Sequence, residues 1–223
     1  MDDRALGELR HLASRDSELA ARAGELRRLD EEVAAIRTRT EEGDAFLAAY
    51  PDEEARRLSE LAAGEQDLAD RRRELREAEE ALTRAADAEG RTHAEAARDR
   101  AVDHVAVAQA RVDRSESAVA ELRRDAARVP TELSELHERA GSVPGITPPP
   151  EPSSLVDWAS HAHAELFVAS RQLDAQRERV IREANELASM LLGEPTYGAT
   201  VAQALARAEA HCLSSPGHVS ESR

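Results

Sequence analysis

The 223-residue sequence contains no lysine, so all 30 of its basic residues are arginine. Schiff-base chemistry and the P-loop both require lysine, and neither of the glycine-rich phosphate motifs GxxxxGK[ST] and GxGxxG occurs. Isoleucine and asparagine are also scarce, which indicates a GC-rich bacterial coding sequence rather than selection for arginine. These absences exclude P-loop and Schiff-base enzymes.

Cysteine is nearly absent as well, since Cys212 is the single thiol. One thiol can form neither an internal disulfide nor the CxxC pairs of a zinc ribbon, and we expect Cys212 to be an unreactive residue in a frayed C-terminal tail. The paired Glu-x-x-His motifs of carboxylate-bridged metal sites are missing. His93, His104 and His137 stand alone in charged surroundings, and His211 and His218 lie near the C-terminus. We therefore predict that the protein is not an enzyme and has no cofactor.

Long apolar segments are absent too, and aromatic residues make up only 2% of the chain. No stretch approaches the ~20 apolar residues that span a bilayer. The N-terminus, Met1-Asp2-Asp3-Arg4, lacks the basic and apolar regions of a secretory signal. These features predict a cytoplasmic protein without a membrane partner.

Charge is abundant, at 34% of residues, and its balance is acidic, with 45 acidic and 30 basic side chains and a formal net charge of −15. An acidic surface repels a phosphate backbone and anionic lipid alike. The densest basic run, at positions 71–76, is interleaved with glutamates and fits ion pairing along a solvated helix. The composition disfavours nucleic acid and membranes as partners.

The main positive feature of the sequence is a heptad repeat of leucine and valine. Such a repeat is typical of coiled coils, in which the apolar seam is used for helix pairing. The sequence therefore predicts an all-α fold of long antiparallel coiled-coil helices, which could fold back into a three- or four-helix bundle. The predicted seam consists of Leu12, Leu19, Leu26, Val33, Leu61, Leu68, Leu75, Leu82, Val105, Val112, Val119, Leu166, Leu173, Val180 and Leu187.

Proline and glycine suggest where these helices end. Prolines 51 and 130 predict helices over about 3–49, 52–128 and 131–140 within a coiled-coil region 1–140. A linker rich in Pro, Gly and Ser follows at 141–154, then a helical region 155–213 and a disordered tail 214–223. Within the C-terminal region, Ser154 and Asp157 predict a capping box, Gly193 and Pro195 end the long helix, and a short helix spans about 199–210.

The middle of the second predicted helix is its weakest part. The leucine seam before residue 85 and the valine seam after residue 101 are out of phase, and Gly90 costs about 1 kcal/mol relative to alanine in a helix interior. We predict a bend or a tip within 85–101, with Gly90 as the hinge. The alternatives are an extended pair of helices, a bundle that folds back at Gly90, and an antiparallel dimer through the same seams.

The most suggestive polar set is Asp157, His161 and Glu165, which are spaced four residues apart and therefore share a helix face. They are weak candidates for metal ligands, because the same spacing is common on solvated helices and no fourth ligand is identifiable. The sequence favours a non-enzymatic structural or adaptor protein whose partners are protein helices, either a second copy or another coiled-coil protein. The alternative is a helical bundle that binds a metal or a small ligand between its helices.

Overall fold

The computed structural model describes residues 2–214, and this part of the chain forms four α-helices and no strands. The helices are α1 (Asp2–Arg84), α2 (Ala88–Gly141), α3 (Leu155–Leu192) and α4 (Val201–Ser214), and a short 3₁₀ helix, Pro152–Ser154, precedes α3. The predicted all-α fold is confirmed. The predicted tail falls almost entirely on residues 215–223, which lie outside the described residues.

The predicted helix ends at Pro51 and Pro130 were wrong, because α1 continues through the first proline and α2 through the second. A proline inside a helix removes one backbone hydrogen bond and costs about 3 kcal/mol. Next to Pro51, this loss is opposed by contacts with the facing helix. Arg123 of α2 forms an ion pair with Glu54 at 2.7 Å. This ion pair joins the turn after Pro51 to the facing helix, and α1 remains continuous across the proline.

The chain reverses at residues 85–87, within the predicted bend but ahead of Gly90. Asp87 is the capping residue of α2, since its Oδ1 accepts a hydrogen bond from the backbone N–H of Gly90 at 2.6 Å. Its own carbonyl accepts the first helical bond, from Arg91 N–H, at 3.1 Å. Gly90 therefore lies in the first turn of α2 and is not itself the point of reversal.

The chain forms two compact units, which we call unit 1 (residues 2–38 and 140–214) and unit 2 (residues 39–139). Unit 2 is an antiparallel pair made by the second half of α1 and most of α2. Leu68 packs with Ala108 and Val112 at its centre. Residues earlier in α1 face residues later in α2, as in any antiparallel pair. Arg72 forms a hydrogen bond with Gln109, and Glu54 forms an ion pair with Arg123.

Unit 1 combines the first part of α1 with α3 and α4. Asp16 pairs with Arg177 and Asp30 with His163, so α1 and α3 run antiparallel here. The two units cut across the predicted regions 1–140 and 155–213, because residues 2–38 pack with the C-terminal part of the chain. One core cluster of unit 1 contains small and medium apolar residues: Leu9, Leu19, Leu173, Val180, Ala184, Ala188, Val201, Ala204 and Ala208.

The turn between α3 and α4 is closed by polar groups. Gly193 ends α3 in the left-handed conformation, with φ of 72°, as the sequence predicted. Asn185, which is buried, donates from Nδ2 to the carbonyl of Ala199 at 2.9 Å. The buried hydroxyl of Thr196 donates to the carbonyl of Asn185 at 2.8 Å. These bonds fix α4 against the end of α3.

The predicted capping box of α3 was wrong. Ser154 caps no amide group of α3 with its side chain, and its hydroxyl donates instead to the carbonyl of Glu151 at 2.7 Å. The reason is local, because Pro152–Ser154 already form a 3₁₀ turn that leads into the helix. A capping box does form at α4, where Thr200 and Gln203 bond reciprocally.

Candidate functional site

The proposed metal ligands Asp157, His161 and Glu165 are all exposed on α3. Nδ1 of His161 lies 2.9 Å from the backbone carbonyl of Asp157, so that nitrogen carries the proton and donates it. Within residues 2–214, no group of three or more His, Cys, Asp or Glu side chains is placed to hold a metal ion. Asp157, His161 and Glu165 thus share a helix face without forming such a group.

The same stripe forms one wall of a shallow cleft of about 340 Å³ whose other wall is the proline-containing linker. The linker is fixed here by Trp158, which is buried and donates from Nε1 to the carbonyl of Thr147 at 2.7 Å. Pro149 is also buried. The part of the linker around Thr147 and Pro149 therefore packs against α3.

The predicted seam residues face the interiors of the units. Each of them is buried or half-buried, so their apolar surface is largely covered within the chain. A partner that needs exposed apolar area would have to bind elsewhere. The buried members are Leu19, Val33, Leu68, Val112, Val119, Leu166, Leu173 and Val180, and the half-buried members are Leu12, Leu26, Leu61, Leu75, Leu82, Val105 and Leu187.

Unit 2 contains a groove of about 510 Å³ between α1 and α2, which we call the Gly43 groove. Gly43 is where the two helices approach closely: a Cβ atom there would lie 3.2 Å from Cδ2 of Leu133 and 3.3 Å from Cγ1 of Val129. The floor of the groove is apolar and its rim carries charges of both signs. The floor consists of Gly43, Phe46, Val129, Leu133 and Leu136, and the rim of Arg39, Glu42, Glu132, Glu135 and Arg139.

The groove continues toward an aromatic pair. Phe46 and Tyr50 lie one helical turn apart, with ring centroids separated by 6.4 Å and planes inclined at 41°. The Tyr50 hydroxyl donates a hydrogen bond to Glu54, which raises the pKa of Tyr50. A hydrogen bond from Arg123 lowers the pKa of Glu54. This set joins α1 to α2 next to Pro51.

A second charged set follows along α1. Arg56 makes a two-pronged contact with Glu53, its Nε and Nη2 atoms lying 2.9 and 2.7 Å from the two carboxylate oxygens. Arg57 donates from Nε to the same carboxylate and from Nη1 to the carbonyl of Ala118 on α2, each at 2.7 Å. The hydrogen bonds from Arg56 and Arg57 lower the pKa of Glu53 from 4.5 to about 2.

The Gly43 groove was not among the sites predicted from the sequence. In the structure, Gly43 permits close contact between two helices. The groups that complete the groove lie about 90 positions later in the sequence, on α2. The available signal was a glycine followed by Phe46 and Tyr50 in a chain with few aromatics.

The remaining histidine and cysteine candidates are dispersed. His163 pairs with Asp30, whereas His93 and His104 are exposed on α2. Cys212 is a free thiol, and it is half-buried within α4 rather than part of a frayed tail as predicted. His218 lies outside the described residues.

Comparison of the chain with family models, with curated proteins and with solved structures found no match. None of the helices within residues 2–214 combines the length and the apolar character that crossing a membrane demands.

Proposed function

We propose that the protein is a non-enzymatic helical adaptor that binds an amphipathic helix of another protein in the Gly43 groove. The observation that carries the proposal is the combination of an apolar floor with a rim of mixed charge in a groove between two helices. Grooves of this kind receive the apolar face of a helix, and a few anchor side chains provide most of the binding energy. A cytoplasmic location remains part of this proposal.

The chemistry of the groove describes the partner. The side chains of Phe46 and Leu133 are half-buried and offer apolar surface to an anchor such as leucine or phenylalanine. The rim carries three glutamates and two arginines. A complementary helix therefore has one or two apolar anchors flanked mainly by basic residues, with an acidic residue facing the arginine side of the rim.

Site-specific photo-crosslinking in the source cells tests the proposal. A photoreactive residue in place of Glu135, on the rim, should capture a partner that the same residue in place of Glu95 does not. Both positions are exposed on α2, but Glu95 lies outside the groove. The captured protein is then purified, and its affinity is measured against wild-type protein and variants.

Leu133→Asp should weaken binding by at least about tenfold, because it places a charge on the floor. The combined variant Glu132→Arg and Glu135→Arg leaves the floor intact and should also weaken binding by changing the charge of the rim. Urea unfolding of both variants controls for stability. Unchanged affinity in both, or capture of nothing except further copies of this chain, would contradict the adaptor proposal.

The second candidate function is binding of a small apolar ligand in the same groove. It is favoured by the volume of about 510 Å³, which falls within the usual range of ligand sites. Native mass spectrometry of protein isolated from the source would reveal a bound small molecule that Leu133→Asp removes. Adduct-free protein under gentle conditions would count against this function.

A further inference from the structure

Unit 2 contains a second cleft, lined mainly by arginine, which we call the arginine cleft. It has a volume of about 450 Å³. Arg56 and Arg57 line it from α1, and Arg111 and Arg114 line it from α2, with Glu60 as the one acidic residue. The chain as a whole carries a net charge of −15. The lining of the cleft is therefore richer in arginine than the acidic chain as a whole.

The two arginines on α1 are held in place by neighbouring groups. Arg56 contacts Glu53 through two nitrogens and Glu60 through Nη1, at 2.7–2.9 Å. Arg57 is tied to Glu53 and to the carbonyl of Ala118. These contacts fix the two guanidinium groups, so a ligand would meet a wall that needs little ordering on binding. They also occupy Glu60 with Arg56.

The two arginines on α2 are differently placed. Within residues 2–214, neither Arg111 nor Arg114 forms an ion pair with a carboxylate. Nε of Arg114 donates to the carbonyl of Ala110 at 3.1 Å, which leaves its two terminal nitrogens for a ligand. Ser115, which is half-buried, lines the same cleft. The α2 wall thus presents two uncompensated guanidinium groups and a hydroxyl donor.

We propose that the arginine cleft binds the phosphoryl groups of a small molecule, with Arg111 and Arg114 as the principal ligands and Ser115 as a further hydrogen-bond donor. Guanidinium groups bind phosphate oxygens through paired, charge-assisted hydrogen bonds. Arg111 and Arg114 provide two separate guanidinium groups, so a ligand with two or more phosphoryl groups can place one against each of them. The assignment is independent of the Gly43 groove, because it uses different residues and a different chemistry.

Isothermal titration of the full chain with inorganic pyrophosphate tests the assignment. Wild-type protein should bind saturably, with an affinity that falls as sodium chloride rises from about 50 to about 300 mM. Arg111→Gln and Arg114→Gln should each weaken binding by about tenfold or more, because each removes charge-assisted hydrogen bonds. Adenosine triphosphate serves as a second probe. If it binds with the same affinity as pyrophosphate, the cleft recognises phosphoryl groups alone. If it binds more tightly, the cleft recognises a larger phosphorylated molecule.

Arg100→Gln is the matched control. Arg100 is exposed on the same helix and also donates from Nε to a backbone carbonyl, that of Ala96, but it lies outside the cleft. Its replacement should leave pyrophosphate binding within about twofold of wild type, since the same charge is lost at a distance. Absence of saturable binding, or an equal loss in the Arg100→Gln, Arg111→Gln and Arg114→Gln variants, would overturn the proposal.

Discussion

Thr200 and Gln203 bond to each other's backbone amides at the start of α4: Gln203 N–H lies 3.2 Å from the hydroxyl of Thr200, and Thr200 N–H lies 3.0 Å from Oε1 of Gln203. Two amide groups that the helix cannot use are thereby satisfied. The pair fixes where α4 begins, and α4 supplies Val201, Ala204 and Ala208 to the core of unit 1.

Removal of the Thr200 cap should destabilise unit 1. Thr200→Ala is expected to lower the free energy of unfolding by about 1 kcal/mol, the usual cost of losing a capping side chain. Urea unfolding measures the change, and hydrogen exchange should show faster exchange at the start of α4. If Gln203→Ala adds its full effect to that of Thr200→Ala, the two side chains do not act together and the reciprocal pair has no energetic role.

Asp87 should have a comparable effect in unit 2. Asp87→Ala removes the acceptor for Gly90 N–H and is expected to cost about 1 kcal/mol in thermal or urea unfolding. Asp87→Asn keeps an oxygen acceptor at the same place and serves as the control, with a smaller loss. Equal losses in the two variants would show that the charge of Asp87, rather than its hydrogen bond, matters at this end of α2.

Two glycines of α1 should respond differently to replacement by alanine. At Gly64 a Cβ would lie 3.5 Å from Cγ2 of Val112, an ordinary contact, so Gly64→Ala should stabilise the protein by up to about 1 kcal/mol through helix propensity. At Gly43 the contacts of 3.2 and 3.3 Å are tight, and Gly43→Ala should lose that gain. Gly24→Ala, with nothing within 4 Å, reports propensity alone. Urea midpoints that rank Gly43→Ala at or above Gly64→Ala would refute the close approach at Gly43.

Acid should weaken the contacts around Glu53. Its pKa in the folded chain is about 2, below the ordinary 4.5, so folding favours the ionised form. The resulting stability is fully present above about pH 4.5 and is lost as the pH falls toward 2. Glu53→Gln should therefore lose less stability than wild type between about pH 6 and about pH 3 in urea unfolding. Glu121→Gln, at an exposed position on α2, is the control and should follow the wild-type curve.

Heptad periodicity predicted the helices because seam residues such as Leu68 and Val112 recur with the helical period and pack between antiparallel helices. Gly193 was equally predictable, since a left-handed residue followed by proline ends a helix locally. Pro51 was misleading because the contacts that oppose its effect, such as the pair between Glu54 and Arg123, come from α2 and leave no local signal.

The two candidate sites were harder to predict than the fold. The Gly43 groove combines residues from the middle of α1 with residues near the end of α2. The arginine cleft combines Arg57 of α1 with Arg114 in the middle of α2. Periodicity indicates which face of a helix is covered, but it does not determine which turns of two helices lie opposite each other. That register is set by the position of the reversal at residues 85–87, which ends three residues before the predicted hinge, Gly90.

The antiparallel pairing in unit 2 also makes its length adjustable. Starting from the reversal at residues 85–87, each step back along α1 faces an equal step forward along α2. If one heptad is deleted from α1 near the reversal and one from the opposite part of α2, every facing pair farther from the reversal is therefore preserved. Each such step shortens the pair by about 10 Å, at 1.5 Å per residue, while an unmatched deletion misaligns all the pairs between it and the far end. Insertions and deletions in related chains should therefore occur in compensating blocks of seven on the two arms.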